Sequence, residues 1–373
     1  MSENAAHSDK CNEQDLHFMS LAIQMAQEVK GATFPNPAVG AVIVKNGNIV
    51  GKGATSYCGG PHAEKNALDA AKAKARGATL YVTLEPCCHF GKTSPCTCAI
   101  IDAGIRRVHV SIKDPNPLVQ GKGIRSLRKR GIEVVTGLME EDANRINEDF
   151  FFWITKRHPW VSVKLAMTLD GRIADATGAS QWITSIEART YGHYLRARHA
   201  AIGIGHTTLE KDDPKLTVRY GKGPNPVRFV FSSKAAAPSG SYFVAIAKKL
   251  SRSILVVAGG ASCSREMLAN GVEIWRTGTV DKNESLHSFL QMAGSEGLSS
   301  VLIEGGSNLA SSFIENRLAN RLYLFYGNKI LGGGLPGLAF SRRLALDKCI
   351  KLDRMETMRL GRDMMVTGLL ARR

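Results

Sequence analysis

Short β-branched runs alternate with longer amphipathic stretches along most of this chain, and the alternation breaks once. Leu16 to Val29 has helical spacing, Val39 to Val44 reads as a strand, Glu64 to Ala75 as an Ala- and Lys-rich helix, and Thr79 to Leu84 as a strand. Cys96 to Ala103 then reads as a helix, Val108 to Ile112 as a strand, Gly123 to Arg130 as a helix and Ile132 to Thr136 as a strand. Strands alternating with helices predict a three-layer α/β domain. The break falls at Glu140 to His158, a charged helix that ends in an aromatic cluster. Pro159 follows, and a residue before proline is pushed out of helical geometry, so a boundary is expected there. The rhythm then resumes in strands at Trp160 to Leu165, Ala200 to Gly205, Val227 to Ser232, Ser253 to Ala258, Val272 to Trp275, Val301 to Ile303 and Leu322 to Tyr326. The expected organisation is a polar extension over 1–15, one α/β domain over 16–157 and a second over 158–373. Two domains fit 373 residues at roughly 150 residues each.

No apolar run approaches the roughly 18 to 20 residues that span a bilayer. The polar first sixteen residues lack the apolar stretch of a signal peptide. A cytoplasmic protein without a membrane partner is expected. The formal net charge is +16, from 49 Lys and Arg against 33 Asp and Glu, which favours anionic partners. Arg125, Arg128, Lys129 and Arg130 share one short helix with no interleaved aromatics to stack bases, so small phosphorylated molecules are expected and nucleic acid is not. Six of the eight cysteines lie in the first hundred residues. In a chain without an export signal, such clustering reads as metal binding sooner than as disulfides.

His62-Ala63-Glu64 opens a helix, Pro86-Cys87 follows a strand and Pro95-Cys96 opens the next helix. One imidazole and two thiolates complete the set of three protein ligands that a catalytic zinc uses, leaving a fourth position open for water. Zinc lowers the pKa of such a water to about 7, and Glu64 is placed to carry its proton. A lone His-x-Glu is common and a cysteine pair is more often packing or a structural metal site; it is their joint placement at element boundaries that carries weight. The pattern departs from the zinc-deaminase signature H-x-E…P-C-x-x-C, because eight residues separate Cys87 from Cys96. That insertion carries Cys88 and His89 as competing ligands; Cys87 and Cys96 are favoured because each follows a proline.

Four segments together resemble a known family, the bifunctional riboflavin-biosynthesis deaminase/reductases: Phe34-Pro35-Asn36-Pro37-Ala38-Val39-Gly40, Pro61-His62-Ala63-Glu64, Thr83-Leu84-Glu85-Pro86-Cys87 through Pro95-Cys96, and Asp114-Pro115-Asn116-Pro117-Leu118-Val119. The longer inter-cysteine segment is usual in that family. The resemblance implies a cytidine-deaminase-like domain with His62, Cys87 and Cys96 on Zn2+, Glu64 as proton shuttle and Asn36 on the pyrimidine. Thr55, where the family usually has a histidine, and Thr97-Cys98 are departures.

In the second half, Glu304-Gly305-Gly306-Ser307 follows a strand and precedes a helix, a turn able to present N–H groups to phosphate. No full G-x-G-x-x-G is present, which argues against a Rossmann domain. Val163-Lys164-Leu165-Ala166, Ser180-Gln181-Trp182, Leu195-Arg196 and Asp212 through Arg219 are similar to the reductase half of the same family. That resemblance implies a dihydrofolate-reductase-like fold. Ala166, Trp182, Thr208, Asp212, Ser232 and Gly306 would surround NADPH, while Ser180, Arg196, Leu216, Arg219 and Glu304 would hold a phosphorylated pyrimidine. Tyr326-Gly327-Asn328-Lys329 departs from the Ala-Pro the family usually places before the lysine. The family also tends to pair, so a homodimer or larger assembly is expected. Two other readings compete: a nucleic-acid base deaminase, which leaves the second half unused, and a structural zinc module with four protein ligands and no use for Glu64.

Overall fold

The computed structural model describes residues 12–88, 94–233, 236–238, 240–259 and 265–371, and the chain divides between Thr155 and Lys156 into two compact units. The first unit runs α1 (Glu13–Val29), β1 (Gly40–Lys45), β2 (Asn48–Ala54), α2 (Ala63–Ala71), β3 (Thr79–Leu84), α3 (Cys96–Asp102), β4 (Arg107–Ile112), α4 (Lys122–Lys129), β5 (Glu133–Thr136) and α5 (Glu140–Lys156). Its sheet has the order β2-β1-β3-β4-β5. β3, β4 and β5 are parallel, whereas β1 runs antiparallel to both β2 and β3.

Period-two alternation sorts the strand side chains into two layers. Ala41, Ile43, Leu80 and Val82 face a core completed by Ala67 and Leu68 of α2, Ile100 of α3 and Leu127 of α4. Val42, Val44 and Tyr81 face the opposite way, onto Phe18, Met19, Ala22 and Ile23 of α1. At Gly40 the two layers touch so closely that a Cβ would lie 1.9 Å from the Ala22 carbonyl oxygen. α1 starts three residues before the apolar pattern does. Asn12 accepts the Gln14 N–H, and Asp15 accepts the Tyr81 hydroxyl at 2.5 Å. The helix expected over Glu64 to Ala75 is interrupted at Lys72, whose φ of 50° turns the chain into a short 3-10 segment.

The second unit contains β6 (Trp160–Thr168), β7 (Arg172–Ala174), α6 (Ile186–Ala197), β8 (Ala201–Gly205), α7 (His206–Asp212), β9 (Val227–Ser232), α8 (Tyr242–Ala245), β10 (Ser253–Val257), α9 (Arg265–Ala269), β11 (Glu273–Arg276), α10 (Lys282–Ser295), β12 (Ser300–Glu304), α11 (Ser307–Glu315), β13 (Arg321–Gly327), β14 (Leu335–Pro336), β15 (Leu352–Leu360) and β16 (Asp363–Leu370). Nine strands form one sheet in the order β11-β10-β9-β8-β12-β6-β13-β16-β15. It is parallel from β11 to β13 and antiparallel over β13, β16 and β15. On one face Ile202, Val230 and Leu255 pack on Phe243 and Met267. On the other, Phe229 and Phe231 meet Phe289 of α10 edge-on, and Phe231 meets Phe313 of α11. Among the described residues no helix is long and apolar enough to cross a membrane.

Candidate functional site

The inverted direction of β1 assembles the first candidate site. Gly40 pairs with Ala54, and its N–H donates to the Thr83 hydroxyl at 3.1 Å. The start of β1, the end of β2 and the end of β3 therefore lie at one end of the sheet. The turn that carries Asn36, the segment that leads to His62 and the turn that carries Cys87 all leave from there. Thr55, one of the departures, ties this end together: its hydroxyl accepts the Val39 N–H at 3.1 Å.

His62 immediately precedes α2 as its N-cap residue, and Cys96 begins α3, so both donors sit at helix N-termini. The Cys96 N–H donates to Cys87 Sγ at 3.3 Å. Cys96 Sγ lies 3.3 Å and Cys87 Sγ 3.7 Å from His62 Nδ1, and all three donor atoms fall within 4.8 Å of one another. Zinc bonds of about 2.3 Å to sulfur and 2.0–2.1 Å to nitrogen place tetrahedral neighbours roughly 3.5–3.8 Å apart, so the three atoms fit the ion. Among the described residues this is the one such group, and it supplies three ligands with a fourth position left over. Cys88 is half-buried and outside the group; His89 lies outside the described residues.

The hydrogen bond from Cys96 and the neighbouring His62 pull the Cys87 thiol down to about 4, against the opposing effect of burial. Cys96 is driven the other way, first by its bond to Cys87 and then by burial. Contact with Cys87 raises His62. Glu64 is 4% exposed in the first turn of α2, and burial lifts its carboxyl to about 6.

The second unit encloses a cavity of about 1080 Å³ lined by all eleven residues that the sequence assigns to it: Ala166, Ser180, Trp182, Arg196, Thr208, Asp212, Leu216, Arg219, Ser232, Glu304 and Gly306. Ligand pockets run to about 300–1,000 Å³, so this one stands at the upper end of that range. Glu304 ends β12, and Gly305 and Gly306 turn with φ of 68° and 77° into α11, closing on Thr208. Arg196 grips Glu304 with two bonds of 2.8 Å and donates a third to the Thr217 carbonyl at 3.1 Å. Burial opposes the Glu304 charge, but Arg196 and then Lys164 outweigh it and hold the carboxyl at about 2. Ser180 donates to Asp212 at 3.4 Å. Leu216 is buried with φ of 54°, a left-handed conformation that costs a branched residue energy and is held by its surroundings. Trp182 is 60% exposed, with the Arg189 guanidinium 4.0 Å above its ring.

Three lining residues escaped the sequence reading. Lys164 stands between buried Val163 and Leu165 on β6, and desolvation lowers its ammonium pKa; a lysine inside an apolar strand was the available signal. His193 accepts the Arg219 N–H through Nδ1 at 3.0 Å, and burial, Arg196 and Arg219 lower it to about 4. It is therefore neutral near pH 7, with its proton on Nε2. Arg189 had no pattern to mark it.

The cytidine and deoxycytidylate deaminase zinc-binding region matches residues 12–112, and the RibD C-terminal domain matches residues 159–366. Fold and site together define a zinc-dependent deaminase joined to an NADPH-using reductase. The riboflavin biosynthesis protein RibD of Aquifex aeolicus is 40% identical over 94% of this chain and 97% of its own length, and that of Escherichia coli K12 is 36% identical over 87% and 90%. Two crystal structures are similar over 96% of this chain and 99% of theirs. One is the diaminohydroxyphosphoribosylaminopyrimidine deaminase/5-amino-6-(5-phosphoribosylamino)uracil reductase of Thermotoga maritima, with a TM-score of 0.85 and 36% identity. The other is Acinetobacter baumannii RibD, with a TM-score of 0.86 and 32% identity. The chain belongs to the RibD family, the bifunctional deaminase/reductases of riboflavin biosynthesis.

Proposed function

We propose that the first unit hydrolytically removes the 2-amino group of 2,5-diamino-6-ribosylamino-4(3H)-pyrimidinone 5′-phosphate. The second then reduces the ribosyl group of that product to give 5-amino-6-ribitylamino-uracil 5′-phosphate. The observation that carries this reading is the convergence of His62, Cys87 and Cys96 beside the buried Glu64. A zinc ion in that site supplies the Lewis acidity that makes water nucleophilic near neutral pH. Asn36 orients the pyrimidine. Glu64 takes the proton lost by the attacking water and delivers it to the departing ammonia as the C–N bond breaks.

In the second unit, bound NADPH would supply the hydride for C1′ of the ribosyl group, whose bond to the ring oxygen opens as that oxygen takes up a proton. Ala166, Trp182, Thr208, Asp212, Ser232 and Gly306 surround the cofactor; Ser180, Arg196, Leu216, Arg219 and Glu304 hold the substrate. The two arginines divide the work. Arg196 is committed to Glu304 and fixes that carboxylate, whereas Arg219 is exposed at the cavity and free to fork onto the substrate phosphate. Holding the ribosyl carbon against the nicotinamide is the main task, since the chemistry belongs to the cofactor.

Zinc-loaded protein given the diamino-pyrimidinone phosphate is expected to release ammonia without NADPH, and to consume nicotinamide absorbance once NADPH is added. Folded, metal-replete protein that does neither overturns the reading. Chelation is expected to stop ammonia release and zinc to restore it, while NADPH oxidation on already deaminated substrate continues throughout.

Reduced thiolates at Cys87 and Cys96, and NADPH as reductant, suit the cytoplasm. A homodimer is favoured by the long edge strand β15, where Met355 is 59% and Met358 43% exposed, since such an edge is a template for pairing. Light scattering is expected to give twice the chain mass; a monomer at micromolar concentration rules the dimer out.

A further inference from the structure

Glu85 stands two residues before Cys87, just beyond the end of β3, and is 4% exposed. Both of its carboxylate oxygens are taken up by main-chain donors. Oε2 accepts the N–H of Gly121 at 2.8 Å and of Asp114 at 3.3 Å, and Oε1 accepts the N–H of Ile124 at 3.1 Å. Gly121 precedes α4 and Ile124 lies in its first turn, where unpaired N–H groups and the helix dipole favour a negative charge. The Glu85 N–H in turn donates to the Ile112 carbonyl at 3.0 Å, at the end of β4.

The segment held in this way is the Asp114 to Val119 motif, which the two proposed reactions leave without a task. It is closed on itself: Asp114 accepts the Asn116 N–H at 2.8 Å, and Asn116 accepts the Leu118 N–H at 3.1 Å. α4 also presses on the peptide that enters Cys87. A Cβ at Gly123 would stand 2.1 Å from the Pro86 carbonyl oxygen and 3.2 Å from Glu85 Oε1.

We propose that Glu85 is a positioning residue for the metal centre: its carboxylate locks the 114–124 segment against the Pro86-Cys87 peptide and so fixes the Cys87 thiolate relative to His62. The proposal rests on reading His62, Cys87 and Cys96 as zinc ligands. Glutamine cannot take over, because one of its two terminal atoms is an NH2 that would face N–H donors. Aspartate keeps the charge but draws it back by one methylene.

The test is the zinc affinity of the full chain, measured by chelator competition for the unaltered protein, Glu85→Gln and Glu85→Asp. Both variants are expected to bind zinc about 10- to 100-fold more weakly, the usual effect of losing a residue that orients a ligand. NADPH oxidation on deaminated substrate is expected to stay unchanged. Unchanged zinc affinity with a lowered melting temperature assigns Glu85 to the fold alone and overturns the proposal. Unaltered protein that binds no zinc overturns the ligand reading, and this proposal with it. Should the variants fail to fold, the unaltered protein decides, because coupling is reciprocal. Stripping its zinc is expected to speed hydrogen exchange at the Asp114, Gly121 and Ile124 amides by roughly 5-fold or more. Exchange at those three amides that ignores zinc overturns the proposal.

Discussion

Glu64→Gln is expected to lower ammonia release by about 10²- to 10⁴-fold, the range of a positioned proton carrier, while one zinc per chain is retained. The substitution keeps the size of the side chain in a place where size matters, since Glu64 is 4% exposed in the first turn of α2. It removes only the ability to accept and return a proton. Zinc content measured on the same preparation separates the roles: a large loss of metal would make Glu64 a ligand. NADPH oxidation on deaminated substrate serves as the internal control, because it depends on residues of the other unit.

Glu304→Gln is expected to have its largest effect on the stability of the second unit. The carboxylate is the counter-charge for Arg196, which it meets twice at 2.8 Å, and for Lys164. Side-chain exposures of 13% for Arg196 and 10% for Glu304 leave little water to take over. Breaking one side of such a pair leaves an uncompensated buried charge and costs about 3–5 kcal/mol. Differential scanning calorimetry of the full chain is expected to show the transition of the second unit moving down in temperature, with hydride transfer lost and ammonia release kept. An unmoved transition would mean that the pair is dispensable to the fold. The same carboxyl sets a pH dependence. Its folded value of about 2 lies below the ordinary 4.5, so its stabilising contribution is present above about 4.5 and is lost as pH falls toward 2.

The β/α rhythm was legible because most strands are buried and rich in β-branched residues. β2 escaped despite the Asn46-Gly47 turn ahead of it. Its Gly51 and Gly53 thin the apolar pattern, and both are needed where α2 crosses: a Cβ at either would lie 2.3 Å from a helix carbonyl oxygen. β15 escaped for the opposite reason, since an exposed edge strand carries Asp353, Arg354, Glu356 and Arg359 and shows no buried face. The uniform β-α-β reading also hid the reversal of β1, which only pairing reveals.

His62, Cys87 and Cys96 were legible as candidate metal ligands because each sits near where an element begins or ends, a position that local sequence marks, and the structure brings the three together. The cavity residues were reached through likeness to a family, since neither glycine turn alone distinguishes a nucleotide site from tight packing. Glu85 was hidden in a segment that had been read for its cysteine. Its partners are backbone N–H groups 29, 36 and 39 positions away, and backbone donors have no signature in a sequence.

The reversal of β1 also gives the first sheet a silent end. The hairpin that joins β1 to β2 turns at Asn46 and Gly47, with φ of 50° and 75°, and nothing stands within 4 Å of where a Gly47 side chain would begin. It emerges at the far end of a six-residue strand from the turns that carry Asn36 and Cys87, about 20 Å along the sheet. A dye, an affinity handle or a surface linker attached there would ride on the hairpin of β1 and β2 at one side of the sheet, away from the end that carries the thiols.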